Sequence, residues 1–405
     1  MKTYAIAGAS SRGLYMYGKA IAGPYHETAR LLGVYDINPV RAHLLSRECG
    51  DVPVFTSFDA MMQQAHPECV IVTTMDRYHH EYIIRSLQAG CDVISEKPMT
   101  IDDARCRAIL ETERQTGKRV VVTFNYRFAP YVTRVKELLR EGVIGRILSV
   151  DFEWFLDTRH GADYFRRWHR RKENSGGLLV HKATHHFDMI NWWLEDEPRT
   201  VFATGTRQFY GPTRSERGER CSTCPHLHTC EFYVDYAHDP HMRALYFDAE
   251  TEDGYFRDQC VFSEDIDIED TMNATVQYRS GISMSYSLVA HSPYEGWRVS
   301  LSGINGRLEA QEYHSGSHTG DATQLVEVYN RRGETVTYEI PKAAGNHAGG
   351  DERLLERLFS EREIPDPLGH MAGSRAGAMS ILIGIAANKS IASGSPIHIE
   401  NLLKE

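Results

Sequence analysis

The sequence predicts an α/β chain in two parts: a doubly wound parallel sheet, then an α+β domain built on a large, open, mostly antiparallel sheet. The chain is 405 residues long, above the roughly 250–300 at which one hydrophobic core stops growing. Through residue 125, short β-branched or apolar runs alternate with longer stretches of helical period, the pattern of parallel strands joined by crossover helices. Beyond Arg146, strand-like runs follow one another with little helix between them, as an antiparallel sheet requires.

In order, the first part has strands at 3–7, 31–35, 69–74, 92–95 and 119–124, apolar runs short enough to be buried on both faces. Between them, Tyr82, Ile83 and Leu87 share a helical face, and 102–116 reads as a further crossover helix. The second part has strands at 147–155, 200–208, 270–278, 281–290 and 298–303, and a long helix at 372–391 ending near Ser393-Gly394. The expected organisation is 1–125, then 126–370 with an insertion at 205–241 rich in turn residues, Cys and His. Residues 371–405 form a C-terminal helix and tail that pack back near the junction.

Composition narrows the partners. Apolar residues make up 41% and charged residues 25%, the balance of a folded globular chain. Lys+Arg total 45 against Asp+Glu 55, a net charge of −10, which argues against nucleic acid. The longest apolar stretch, 376–387, is far short of a bilayer span, so no membrane partner is expected. Eight cysteines are too sparse for a disulfide scaffold. With no signal-peptide pattern at the N-terminus, a cytoplasmic chain with reduced thiols is expected.

The first chemical signal follows the first strand: Gly8-Ala9-Ser10-Ser11-Arg12-Gly13. Glycines at a strand-to-helix turn let the backbone approach a pyrophosphate, which amides at the helix N-terminus then hold. Ser10 replaces the usual middle glycine; it can cap the turn and donate a hydroxyl, while its Cβ narrows the approach. Asp36, 23 residues past Gly13 at the end of the second strand, offers a carboxylate to both hydroxyls of an adenosine ribose and repels a 2′-phosphate. Together they read as a Rossmann domain that binds NAD in preference to NADP, although Arg41 lies close enough in sequence to soften the repulsion.

Five segments then fall in order: Asp36-Ile37-Asn38-Pro39, Thr73-Thr74 with His79, Glu96-Lys97-Pro98, Asn125-Tyr126-Arg127, and Gly176-Gly177 followed by His185 and Asp188. They resemble the glucose–fructose oxidoreductase / inositol dehydrogenase / MocA (Gfo/Idh/MocA) family over roughly the first half of the chain. The resemblance implies an NAD(P)-dependent enzyme whose second domain carries the substrate pocket and an oligomer interface on its open sheet. A homo-oligomer, dimer or tetramer, is therefore expected. It also implies that Lys97 is the catalytic lysine, that His185 is the catalytic histidine and that Glu96 orients backbone and cofactor. Gly8, Ser10, Ser11, Arg12, Gly13, Asp36, Thr73, Thr74, His79, Glu96, Lys97 and Asn125 are the expected cofactor contacts. Lys97, Arg127, Arg159, Trp168, Lys182 and His185 are the expected substrate contacts.

From the residues alone, Lys97 follows the fourth strand at the carboxyl end of the sheet, where doubly wound folds bind ligands. An ammonium there polarises a hydroxyl or carbonyl oxygen, and burial lowers its pKa toward proton transfer. Pro98 fixes the exit of the chain and so aims the lysine. In the Gly-Gly segment, His181 and His185 are four apart and share a helical face, whereas Lys182 points elsewhere. That spacing also suits a metal pair, but no third ligand is evident. Inositol-dehydrogenase-like members of the family carry aspartate in place of His181 and glycine in place of Ala183. Two arrangements stay open: His185 as base without a carboxylate partner, or Lys97 and His181 sharing the load.

Two further features stand out. Residues 157–172 join a strand to the Gly-Gly helix and interleave six Arg and Lys side chains with aromatics. Such a segment grips an anionic or sugar ligand, or its arginines pair with acids elsewhere. In the insertion, Cys221, Cys224 and Cys230 have the spacing of a tetrahedral zinc knuckle, with Cys260 as fourth thiolate and His226, His228, His238 or His241 as alternatives. A structural zinc is expected there ahead of an iron–sulfur cluster; the alternative is unliganded thiols. The remaining Cys49, Cys69, Cys91 and Cys106 read as buried small apolar residues.

The functional expectation is hydride transfer between NAD and a secondary hydroxyl of a sugar, polyol or sugar derivative. The alternative is an NAD-dependent glycosidase, which oxidises the sugar at C3, eliminates the aglycone, adds water and returns the hydride; Tyr126, Tyr164 and Tyr286 are its candidate acid–base groups. A non-catalytic NAD-binding protein is disfavoured by the presence of both Lys97 and His185.

Overall fold

The structure, a computed structural model, describes residues 1–404. The first sheet contains β1 (Lys2–Ala7), β2 (Ala29–Tyr35), β3 (Cys69–Val72), β4 (Asp92–Ser95) and β5 (Val120–Val122), all parallel. Their interiors are buried on both faces, and Val70, Ile71, Val93 and Val120 lie in the core, which is why the runs carry no polar alternation. Residues 73–74 and 123–124, expected as strand, leave the ladder and form the rim where the site is built.

The second sheet has nine strands: β6 (Ile147–Asp157), β7 (Pro198–Thr206), β8 (Thr271–Tyr278), β9 (Ser283–Ser292), β10 (Gly296–Gly303), β11 (Gly306–Tyr313), β12 (Thr323–Asn330), β13 (Thr335–Pro341) and β15 (Ile397–His398). Their order is β13-β12-β11-β10-β6-β9-β8-β7-β15. Every pair is antiparallel except β6 with β9. β11 to β13 were not expected from the sequence. They alternate buried and exposed residues, and outward Glu309, Glu327 and Glu339 dilute the apolar signal.

Helix Ala183–Leu194 and the 20-residue helix Ser374–Ser393 pack on this sheet and against each other. Tyr278 on β8 donates to Asn191, and Ser390 accepts from the Ala203 amide on β7. The long helix is apolar on most of its circumference because most of it is buried at the junction of the two parts. Flanking it, β14 (Ala372–Gly373) adds an antiparallel strand to β5, and β15 adds one to β7, so the C-terminal segment stitches both sheets together.

The insertion between β7 and β8 runs to residue 270, well past the expected 241, as short turns and loops. It reaches the first domain: Leu245 and Tyr246 share a core with Leu14, Tyr17 and Leu45.

Candidate active site

A cavity of about 580 Å³ opens at the carboxyl edge of the parallel sheet. Its floor is the turn after β1. Gly8 has φ +104°, and a Cβ there would come within 2.6 Å of the Thr73–Thr74 backbone, so only glycine lets these segments meet. Ser10 caps the turn: its hydroxyl donates to the Thr73 carbonyl (3.0 Å) and accepts from the Gly13 amide (3.3 Å). Ser11, Arg12, Thr73 and Thr74 line the cavity. Asp36 accepts from the amides of Ala9 (2.6 Å) and Asn38 (2.8 Å) and from Arg41 (3.3 Å); it lines the cavity and keeps acceptor capacity on Oδ2. Burial pushes its carboxyl up, and Arg41 and the two amides work against that. Asn125 donates through Nδ2 to Asp351, while its Oδ1 is buried without a partner. The Ser10 and Arg12 amides, which the turn leaves without a partner among the described residues, the Asp36 carboxylate and the Asn125 oxygen fit the pyrophosphate, ribose and carboxamide of a nicotinamide dinucleotide.

The opposite wall was not legible in the sequence. Tyr246, Asp253, Tyr255 and Arg257 of the insertion line the same cavity. The Tyr246 hydroxyl accepts from the Ser11 amide (3.1 Å), and the Arg257 guanidinium lies 4.2 Å from the centre of the Tyr246 ring. Asn38 donates to the Ala249 carbonyl (2.8 Å), and Asp253 pairs with Arg41. The insertion thus roofs the groove from the second domain. Residues brought in by a long irregular loop carry no spacing motif, so only the fold reveals them.

Lys97 stands at the end of β4 and Asp76 in the short turn after β3, both at the carboxyl edge of the sheet. The Gly176-Gly177 turn starts the helix Leu178–His181, which breaks at Lys182 before Ala183–Leu194. His181 and His185 both line the cavity despite that break. His181 Nδ1 lies 2.5 Å from Asp76 Oδ2, with both side chains almost wholly buried. Lys97 Nζ donates to the His181 carbonyl (3.4 Å). Burial pushes Lys97 down to about 8, against the pull of Asp76 and Glu96. Burial also pushes the Asp76 carboxyl up, with Lys97 opposing it. His181 and His185 are held neutral, first by burial, then by neighbouring His169 and Lys97 for His181 and by Lys97 for His185. An aspartate–histidine pair therefore exists, but its carboxylate, Asp76, comes from another element than the sequence pattern suggests. His185 has no carboxylate partner, and its Nδ1 is buried and unpaired.

Several expected contacts have other work. Glu96 accepts from Arg12 (3.0 Å) and Tyr17 (2.7 Å); burial opposes its ionisation, yet Arg12 and Tyr17 hold it below the usual carboxylate range. The two ring nitrogens of His79 face the carbonyls of Pro98 and Thr74, so it ties the Lys97 loop to the end of β3 and shapes the wall without a free polar atom. Arg127 is not a substrate contact: it forks onto buried Asp188 at 2.7 and 2.6 Å and lines neither main cavity. Arg159 is exposed and outside both cavities. In the cationic segment, Arg170, Arg171 and Lys172 pair with Asp265 and Glu269 of the insertion. Arg167 and Trp168 do reach the cavity, Trp168 stacked on His169. Lys182 faces a second cavity beyond His185.

The zinc expectation is corrected. Cys221, Cys224, Cys230 and Cys260 do line one small space, about 20 Å³, with Leu227, Phe232, Val261 and Phe262. Among the described residues, however, no group of three or more His, Cys, Asp or Glu side chains is placed to hold a metal ion. Arg166 donates to Cys221 Sγ (3.6 Å), putting one cation where another would have to bind. Burial pushes the Cys221 thiol up, away from the thiolate a metal needs. The histidine pair likewise has no third ligand beside it among the described residues.

Residues 2–124 match the oxidoreductase family's NAD-binding Rossmann fold, and residues 136–399 match the same family's C-terminal alpha/beta domain. The candidate oxidoreductase YteT of Bacillus subtilis (strain 168) is 39% identical over 427 aligned positions, covering 100% of this chain and 99% of that protein. The inositol 2-dehydrogenase of Rhizobium meliloti (strain 1021) is 30% identical over 189 residues, 47% of this chain and 54% of that one. Among solved structures, scyllo-inositol dehydrogenase from Lactobacillus casei, with bound NAD(H) and scyllo-inositol, has a TM-score of 0.66 and 18% identity over 99% of each chain. With both halves matched in order, and a dinucleotide turn facing a buried lysine across one cavity, this chain belongs to the Gfo/Idh/MocA oxidoreductase family.

Proposed function

We propose that the enzyme oxidises a secondary hydroxyl of a sugar or polyol with NAD. The observation that carries this reading is convergence: Lys97, the Asp76–His181 pair and His185 all face the cavity floored by the dinucleotide turn. Bound NAD supplies the hydride acceptor. Lys97 Nζ takes the hydroxyl proton, and its pKa near 8 keeps a fraction of free amine at neutral pH. Asp76 fixes which nitrogen of His181 faces the cavity, and neutral His185 offers a hydrogen bond to the reacting oxygen. NAD is preferred to NADP because a 2′-phosphate would meet both Asp36 and Asp253, with Arg41 already shared between them. The test is NADH absorbance on incubation with NAD and a panel of free sugars, inositols and methyl glycosides; absence of NADH with every one of them, together with no aglycone release, refutes the reading.

The roof over the groove supports a second reading, the redox-neutral glycosidase. Tyr246, Arg257 and the β1 turn would hold NAD between them, and a cofactor retained there would supply both the oxidation at C3 and the later reduction without net NADH. Release of aglycone from a glycoside by the NAD-loaded enzyme without net NADH would favour it over the dehydrogenase. A reducing, cytoplasmic setting is part of the same proposal and rests on the sparse cysteines of the sequence. The outward face of the nine-stranded sheet, where Phe202 and Leu325 are exposed, is the proposed self-association face, which light scattering tests.

A further inference from the structure

Beyond His185, away from the dinucleotide turn, the second cavity encloses about 430 Å³. Its hydrogen-bonding groups are unevenly spent. Both carboxylates there are occupied. Glu312 accepts from Tyr126, from Trp297 Nε1 (2.9 Å) and from Gln324 (2.8 Å). Both oxygens of Glu295 face His160 Nδ1, at 3.0 and 2.9 Å. Lys342 donates to the carbonyls of His318 and Thr319.

Lys182 is different. Its side chain is only 12% exposed, it donates no hydrogen bond within the described residues, and the nearest carboxylate oxygen, on Glu295, is 4.0 Å away. Its ammonium sits 4.5 Å from the centre of the Trp154 ring. Trp154 lines the same cavity, and its Nε1 is buried with no partner. An ammonium this little exposed, with no hydrogen bond of its own, is costly unless something brings an acceptor to it.

We infer that this cavity seats the carboxylate of a uronic acid, free or as a residue of a glycoside, with Lys182, held over the Trp154 ring, as its ion partner. The inference rests on the sugar-oxidising reading above and names its substrate class. A carboxylate suits the site better than a phosphate. The cation without a hydrogen bond is a single ammonium, loosely paired with Glu295 at 4.0 Å, no arginine fork lines the cavity, and repulsion from Glu295 and Glu312 is weaker for a monoanion than for a dianion. His185 and His347 line both cavities, so an anion held on Lys182 places the rest of its sugar against the catalytic cluster.

The experiment measures kcat and KM of the NAD-loaded enzyme for D-glucuronate and D-galacturonate against D-glucose and D-galactose, and for methyl β-D-glucuronide against methyl β-D-glucoside. Calorimetric binding of the same compounds runs in parallel. The acids should have the lower KM, and Lys182→Met should raise KM for the acid about 10- to 100-fold more than for its neutral counterpart, as loss of a charge-assisted hydrogen bond does. Preference among free acids or methyl glucuronide identifies the source of the carboxylate. Lys182→Arg, which keeps a cation at this position, should retain much of the preference for the acids and guards against misfolding of the Met variant. Equal KM values for acid and neutral sugars in the wild type, or equal losses in Lys182→Met, overturn the inference while leaving sugar oxidation intact. Uronate binding that depends on Lys182, without NADH formation from any sugar, sustains the subsite and refutes the oxidation. No binding of any uronate overturns the subsite.

Discussion

Replacing Asp76 with Asn isolates the contribution of the carboxylate to catalysis. Asp76 is 3% exposed, and its Oδ2 lies 2.5 Å from His181 Nδ1. An amide fits the same space but presents either oxygen or NH₂ to the imidazole, so the tautomer of His181 is no longer fixed. Loss of a positioned acid–base pair lowers kcat by about 10²–10⁴, equivalent to about 2.7–5.5 kcal/mol of transition-state stabilisation. Stability should hold, because burial opposes ionised Asp76 more than any single neighbour favours it. Asp76 is also the strongest attraction on the Lys97 ammonium, so its removal drops the Lys97 pKa below about 8. The assay is kcat and KM across pH, with NAD binding and thermal unfolding measured on the same preparations. The expected result is a low kcat, a pH profile displaced toward acid, and unchanged NAD affinity and Tm. A variant that turns over near the wild-type rate refutes the pairing. One that loses Tm and kcat together assigns Asp76 to folding instead.

Three other outcomes follow from the same geometry. Lys97 is an ammonium below about 8 and a free amine above it, so the oxidation rate should rise with pH and level off above about 8, and the reverse reduction, which needs the acid form, should fall over the same interval; a flat profile for both directions removes Lys97 as the proton carrier. Arg127→Ala leaves Asp188 buried without its bidentate partner, which should cost about 3–5 kcal/mol of stability, read as a lower denaturation midpoint. Arg257→Ala removes the cation above the dinucleotide turn, and should weaken NAD about 10- to 100-fold with a faster off-rate; unchanged NAD affinity would show that the roof does not touch the cofactor.

Much of the first domain was legible because its strands are buried on both faces and carry an uninterrupted apolar signal, as in Cys69–Val72. The dinucleotide turn was legible because Gly8 and Ser10 do local work: one permits a backbone approach, the other caps the turn. Strands β11 to β13 were hidden by charged outward residues, and the helix at 372–391 was found only two residues from Ser374–Ser393 because a buried helix needs no amphipathic pattern to mark its ends. Site residues that act through tertiary contact were invisible. Asp76 has no spacing relation to His181, from which 105 positions separate it. Arg127 looked like a substrate contact because a motif records residue type, not the partner. Its partner, Asp188, lies in the same helix as His185, so the pair holds that helix against the Asn125 turn.

The departure at His181 has a physical consequence. The helix carries an imidazole at 181, where the family resemblance leads one to expect a carboxylate, and the carboxylate comes from the turn after β3. The pair therefore spans the junction: Asp76 and Lys97 belong to the parallel sheet, His181 and His185 to the second domain. Its 2.5 Å separation survives only while the two parts keep their registration, because a hydrogen bond weakens steeply once its partners drift apart. That registration is held by the Ser374–Ser393 helix between β14 and β15, by Asn388 donating to the Gly176 carbonyl (2.6 Å), and by Arg12 linking Glu96 to Asp351. A catalytic pair on one helix tolerates motion between domains, whereas a pair split across the junction makes closure of the junction a condition for proton transfer. Asn388→Ala, which touches neither cavity, should then lower kcat while NAD affinity holds; a variant with reduced stability but unaltered kcat would show that the junction is rigid without that contact.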